Sequence, residues 1–374
     1  MSEWKTYKLG ELPIQFIDGD RGKNYPKGDD FSKVGHCLFL NAGNVTKNGW
    51  DFSENVYISE EKDNLLRNGK LERGDIVLTT RGTVGNVVLY TDDIPYKHIR
   101  INSGMVIIRN NNTCYNPYLY QYLRSYLFLG QVQQFQSGSA QPQIPISTLK
   151  KLTISLPHLA EQKRIADILS AIDDKIELNR RINANLEQQA QALYKSWFVD
   201  ADTTGWGTKK LADFFNVITG KKDANYSTKD GVYPFFTCSQ DILKAPNYSF
   251  EGAAILLAGN GDFNVKRYIG KFEAYQRTYV LIPFEKRYHS FLYLLIKYHL
   301  QEITGGSRGS VIKFITKGNI ADFTFTMPPY SINDKLFLFD SLFNEIDKNT
   351  IEINNLSTIR DTLLPKLMSG EIKV

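Results

Sequence analysis

The 374 residues include only three cysteines, Cys37, Cys114 and Cys238, far apart and never as C-x-x-C. That excludes a disulfide framework and a zinc ribbon and fits a reducing compartment, with each thiol read as a small buried apolar group. No apolar run approaches the length of a membrane span, and the opening MSEWKTYKLGEL has no secretory apolar stretch, so a cytoplasmic chain with no membrane contact is expected. A Walker A loop is missing, so any ATP-driven step would belong to a partner. No Gly-rich strand-to-helix turn for S-adenosylmethionine is found; Gly259-Asn260-Gly261 is a lone G-x-G. The five histidines, His36, His98, His158, His289 and His299, lack metal-ligand spacing, and Asp75 and Asp262 read as turn residues rather than nuclease carboxylates. No metal and no cofactor are expected on this chain.

What is present is an ordinary globular composition, 42% hydrophobic and 23% charged, with a length that fits two or three domains. Net charge is +5, but it is unevenly placed. Residues 161–198 carry six basic and six acidic residues, and residues 331–374 carry five basic and seven acidic ones, which leaves +7 on the rest of the chain. A basic globular surface beside neutral periodic segments favours a polyanionic partner.

The two periodic segments are the clearest signal. After Leu156-Pro157, apolar residues fall at Ile165, Leu169, Ile172, Ile176, Leu186, Ala190, Leu193 and Trp197, with Asn179 and Asn183 in the middle. Steps of three and four put these on one face of a single long helix. After Met327-Pro328-Pro329, the residues Leu336, Phe339, Phe343, Ile346, Thr350, Ile353, Leu364 and Leu367 repeat the plan. Pro365 predicts a kink or an end in the last turn, and Gly370 a stop. A narrow stripe on a neutral helix needs a partner stripe. The expectation is an antiparallel pair packed through Ile165, Leu169, Ile172, Ile176, Leu186, Leu193, Leu336, Phe339, Phe343, Ile346, Ile353 and Leu364, with the central asparagines setting register. The alternative is that each helix packs only on its own globular part.

The echo extends to the rest of the chain. WKTYKLGEL (4–12) matches WGTKKLADF (206–214), NSGMVII (102–108) matches QRTYVLI (276–282), PYLYQYLRSYL (117–127) matches SFLYLLIKYHL (290–300), and SGSAQPQI (137–144) matches GSRGSVIK (306–313). Strands are expected at 75–80, 85–90 and 105–109 and again at 253–259 and 278–283, separated by glycines. One duplication at about this length gives two domains rather than a solenoid.

With these residues in view, the chain resembles the specificity subunits of type I restriction–modification systems. The resemblance rests on Leu156-Pro157 followed by Glu161-Gln162-Lys163-Arg164-Ile165, on Leu71-Glu72-Arg73-Gly74-Asp75-Ile76-Val77, on Arg81-Gly82-Thr83-Val84-Gly85 and on Gly138-Ser139-Ala140-Gln141. The second copy departs from the pattern, with Ile332-Asn333-Asp334-Lys335-Leu336 in place of E-Q-K-R-I. The resemblance implies an α+β fold: two pseudo-two-fold-related target-recognition domains, each a mixed sheet with short helices, joined by two long antiparallel coiled-coil helices. The expected division is 1–157 and 200–328 for the recognition domains and 158–199 and 329–374 for the helices. It further implies a non-catalytic chain that reads an asymmetric bipartite site in double-stranded DNA and recruits two modification subunits and restriction subunits. S-adenosylmethionine, ATP and Mg2+ would sit on those partners. Two rivals stay open: a DNA methyltransferase or nuclease with a recognition tail, and a coiled-coil scaffold that binds only protein. Met327-Pro328-Pro329-Tyr330 looks like a methyltransferase N-P-P-Y motif, but methionine cannot accept the hydrogen bond that chemistry requires.

Groups that read bases are Arg or Lys for guanine and Asn or Gln for adenine. Loop positions of those types are Arg21, Lys23, Arg81, Lys97, Arg100, Ser139 and Gln141 in the first half and Lys221, Lys222, Asn260, Lys266, Arg267, Arg277, Ser307 and Arg308 in the second. Any one of them is as readily a solvated surface charge; the expectation attaches to the set. Arg81 and Arg308 stand out because adjacent glycines allow close backbone approach. Tyr25, Tyr96, Tyr226 and Tyr275 could buttress these loops.

Overall fold

The computed structural model describes residues 4–111, 114–135, 142–305, 314–329 and 331–374. It divides into two compact units, one formed by Met1–Glu177 with Asn354–Val374 and the other by Leu178–Ile353. The boundaries fall inside the two long helices, Leu159–Tyr194 and Asn333–Met368. The helices therefore do not form modules of their own, as the expected division had it; the ends of each are built into the cores of the units.

In the first unit, Ile14–Asp18, Met105–Asn110, Ile76–Thr79 and Val87–Leu89 form an antiparallel sheet in that order. Its strands read as continuous apolar runs because both faces are covered. Val106, Ile108, Ile76 and Leu78 face a core that includes the helix Asn116–Arg124, whereas Met105, Ile107, Val77 and Val88 face a second core. The second unit repeats this arrangement around Phe215–Thr219, Thr278–Pro283, Phe250–Ala258 and Val265–Ala274. Ile255, Leu257 and Leu281 face one core there, and Ala254, Leu256 and Val280 the other. Each unit also has a pair of parallel strands, Leu38–Leu40 with Ile99–Ile101 and Phe235–Phe236 with Glu273–Ala274. In each, a strand at the start pairs antiparallel with the strand preceding the long helix: Lys5–Lys8 with Thr153–Leu156, and Gly207–Lys210 with Thr324–Met327.

The long helices pair antiparallel with asparagines between them, as expected, but the apolar residues at their ends are also part of the domain cores. Ile165 and Leu169 belong, with Leu364, to the core of the first unit. Leu336, Phe339 and Phe343 belong, with Ala190, Tyr194 and Phe198, to a core of the second. Ile346, Leu193 and Trp197 pack at the rim of that core, Ile176 is buried, and Ile172, Leu186 and Ile353 are half-buried. Between these ends the second unit has a polar ladder. Asn179 Nδ2 donates to Glu352 Oε2 at 2.8 Å, Asn349 Nδ2 to Asn183 Oδ1 at 2.9 Å, and Asn183 Nδ2 to Thr350 Oγ1 at 3.3 Å. In the first unit Arg360 Nη1 reaches Asp173 Oδ1 at 3.0 Å. Rising numbers on one helix meet falling numbers on the other, so the segments run antiparallel in each unit.

Helix ends follow local chemistry. Gln162 is buried beyond Leu156-Pro157, accepting from the Tyr115 N–H at 2.9 Å and donating to the Pro157 carbonyl at 2.9 Å. The glutamine of the E-Q-K-R-I stretch thus fixes where the helix starts. The first long helix ends in a π-helical turn, Lys195–Val199, and the face it buries is Ala190, Tyr194 and Phe198 rather than Leu193 and Trp197. Pro365 does not end the second helix, which runs to Met368, where Gly370 takes a φ of +74°.

Candidate nucleic-acid interface

The reading groups expected from the sequence separate into three sets. Arg100 and Arg267 leave the set of DNA-facing groups, because carboxylates of the protein already engage their guanidinium groups. Arg100 is buried on the strand Ile99–Ile101. Its guanidinium pairs with the fully buried Asp63 carboxylate and donates to the carbonyls of Asn68 at 2.7 Å and Leu66 at 3.1 Å. Arg267 grips Asp347 of the second long helix through two bonds of 2.8 and 2.9 Å and lies 4.6 Å over the Phe343 ring. Lys266 is half-buried, donates to the Ser239 carbonyl at 2.6 Å and to Asn264, and burial pushes its pKa down. Ser139, Gln141, Ser307 and Arg308 lie outside the described residues.

The remaining groups are at the surface. Lys23, Lys97 and Arg277 are exposed, as is Lys221, whose ammonium stands 5.2 Å over the Phe250 ring; Lys222 is half-buried, 4.6 Å over Tyr226. Tyr25 packs edge-on against Phe39 and Tyr96 against Phe52, so these tyrosines serve the interior.

Two clefts bring the others together, one in each unit. In the first, Arg21 and Arg81 line a 260 Å³ cleft with Asp18, Ser103 and Gln143. Arg21 donates to Asp18 Oδ1 at 3.2 Å and to the Ser103 carbonyl at 3.1 Å. In the second, Asn260 and Arg277 line a 420 Å³ cleft with Gln276, Tyr279 and Phe314. A Cβ on Gly19 would come within 2.1 Å of the Asn102 carbonyl oxygen, and one on Gly220 within 2.2 Å of the Tyr275 oxygen. Gln276 is a surface amide that the sequence reading passed over; an amide and an arginine just ahead of an apolar strand were the available signal.

One cluster was invisible in the linear spacing. The pairing of Leu38–Leu40 with Ile99–Ile101 brings His36 and His98 together with Asp63, their candidate ligand atoms within 4.8 Å. The imidazoles are stacked, with centroids 4.2 Å apart and planes at 19°. Lone pairs of stacked rings run side by side rather than converging, and the Asp63 carboxylate is already matched by Arg100 and Lys70. The donor set fits a structural charge cluster better than a cation.

A chain doubled within one polypeptide, with an open polar cleft in each half, is the class these features define. The family model described as "Type I restriction modification DNA specificity domain" matches residues 1–188 and 203–356, so the chain belongs to that family and is a specificity component rather than a catalytic one. The type I restriction enzyme EcoDI specificity subunit of Escherichia coli is 38% identical over 175 residues, 45% of this chain and 38% of that one. The MjaIX specificity subunit of Methanocaldococcus jannaschii is 26% identical over 375 residues, 86% of this chain and 84% of its own length. A crystal structure of a type I restriction–modification S subunit from M. genitalium shares the fold, with a TM-score of 0.60 at 16% identity over 98% of this chain and 96% of that one.

Proposed function

We propose that the chain is the DNA-reading subunit of a type I restriction–modification complex and that it binds an asymmetric bipartite site in double-stranded DNA. The observation that carries this reading is an open cleft in each unit, lined by different hydrogen-bonding groups, Arg21 and Arg81 in one and Asn260, Gln276 and Arg277 in the other. Unlike clefts call for unlike half-sites, and each half-site is read by base-edge contacts while phosphate contacts position the chain.

In this reading the two long helices act as the ruler for the unread spacer. Each has 36 residues, about 54 Å at 1.5 Å per residue. The polar ladder of Asn179, Asn183 and Asn349 fixes their register. The helices also recruit two modification subunits and restriction subunits, which bring S-adenosylmethionine, ATP and Mg2+; the target adenine is extruded into the partner enzyme. The complex acts in the cytoplasm, where the DNA is.

The rival in which this chain is itself a methyltransferase fits the structure less well. Met327 ends a strand paired to Gly207, and the following prolines lead into the second long helix with Ile332 buried beside it. That stretch is used as a strand-to-helix turn. Sequencing of methylated adenines in cells with and without this chain tests the proposal: a bipartite motif disappears with the chain. Methyl transfer by the purified chain alone would support the enzyme instead.

A further inference from the structure

We infer that positions 81 and 260 are the corresponding base-reading positions of the two units, Arg81 suited to guanine and Asn260 to adenine, with Arg21 and Lys222 as the matching flanking phosphate contacts. This rests on the DNA-reading function proposed above and assigns it to particular side chains.

The correspondence comes from strand register. In the first unit Val106 lies opposite Asp18 and Met105 opposite Thr79. In the second Tyr279 lies opposite Thr219 and Thr278 opposite Ala258. Two residues beyond Thr79 is Arg81, and two beyond Ala258 is Asn260. The bonds around them agree. Thr80 N–H donates to the Gly104 carbonyl at 2.8 Å, and Gly259 N–H to the Arg277 carbonyl at 2.8 Å. Ile144 N–H donates to the Thr80 carbonyl at 3.0 Å, and Ile315 N–H to the Gly259 carbonyl at 3.1 Å. Arg81 bridges to Gln143, and Asn260 to Phe314. The same register matches Arg21 with Lys222, three residues after Asp18 and Thr219. The counterpart of Arg81 is thus Asn260.

Both positions precede a turn that suits close approach to a duplex. Gly82 has a φ of +75° and Gly261 one of +72°, and a Cβ on either would meet nothing within 4 Å. The glycines meet the conformational need and leave the turn without a side chain. Each reading group has a light restraint among the described residues. Gln143 Oε1 lies 3.5 Å from Arg81 Nη2, and the Cys238 thiol donates to Asn260 Oδ1 at 2.9 Å. A guanidinium can donate two parallel bonds to guanine O6 and N7, and a primary amide can donate and accept at adenine N6 and N7. Arg277 stands where the first unit has Gly104, so it has no partner in the duplication and is not part of the shared device.

The test uses the full chain assembled with its modification subunits, binding a randomised DNA library. Arg81→Ala should erase preference for guanine at one position of one half-site, a loss of about 5- to 150-fold in discrimination. Asn260→Ala should do the same for adenine in the other half-site. Arg81→Gln should move the preference at that position from guanine toward adenine, a gain that misfolding cannot imitate. Arg21→Ala should instead weaken binding to all sequences and reduce the salt slope by about 1. If the unaltered complex selects a bipartite site and the Arg81 and Asn260 variants select the same bases as before, the assignment is overturned while the function stands. If the unaltered complex selects no bipartite site, the functional reading itself fails.

Discussion

At the scale of residues, the sharpest contrast is between Arg81 and Arg100. Both were reading candidates in the sequence, yet one lines an open cleft and the other is sealed against Asp63. The difference was not legible because the partner carboxylate lies 37 positions away on a separate helix. Arg100→Ala should therefore cost about 3–5 kcal/mol by stranding a buried carboxylate, with Lys70 its remaining cation. Denaturant unfolding of the full chain checks this; a variant of unchanged stability with altered DNA selectivity would return Arg100 to the reading set. His289 gives a pH dependence of known sign. It is 2% exposed, its Nε2 lies 3.0 Å from the Ala254 carbonyl, and burial pulls its pKa from 6.5 down to about 4. Below pH 6.5 the unfolded chain takes up the proton that the folded chain refuses. Stability should thus fall by about 1.4 kcal/mol per pH unit between about 6.5 and 4, roughly 3 kcal/mol in all. His289→Gln should flatten that part of the curve, as thermal unfolding across the range would record.

At the scale of elements, the strands were legible for a clear reason. Runs such as Ile76–Thr79 and Met105–Asn110 are covered on both faces, so unbroken β-branched sequence and burial coincide. The helices were legible in length and in their antiparallel pairing, but not in how their ends are shared with the domain cores. Periodicity shows that one face is apolar and cannot say what covers it; here the ends enter the domain cores, while the asparagines pair midway along the helices, as their sequence position had suggested. A double-mutant cycle on Asn183 and Asn349 should show single losses of about 0.5–1.5 kcal/mol and a coupling of at least about 0.5 kcal/mol. Strict additivity would mean the ladder is ornamental. Glycines also divide by cause. Gly19→Ala and Gly220→Ala force a Cβ onto carbonyl oxygens at 2.1 and 2.2 Å and should cost 1–3 kcal/mol or more by order of magnitude. Gly82→Ala meets only backbone strain of about 1–2 kcal/mol. Such close approaches are set by strands meeting in space and leave no trace in spacing.

At the scale of the whole molecule, the duplication was readable from paired segments such as NSGMVII and QRTYVLI, which are the strands Met105–Asn110 and Thr278–Pro283. The unit boundaries were not, because they cut through helices at Glu177 and Ile353, where no turn or composition change marks them. That division supplies the natural site for exchange. Replacing residues 178–353 by the corresponding segment of a relative with another target keeps each core intact, including Ile165 and Leu364 in one and Tyr194 and Phe339 in the other. Sequencing the methylated adenines in cells that carry the hybrid chain is the most direct measurement. One half of the bipartite motif should change to that of the donor, with the other half and the spacer length kept. A motif altered in both halves, or in neither, would contradict two independent readers on one frame.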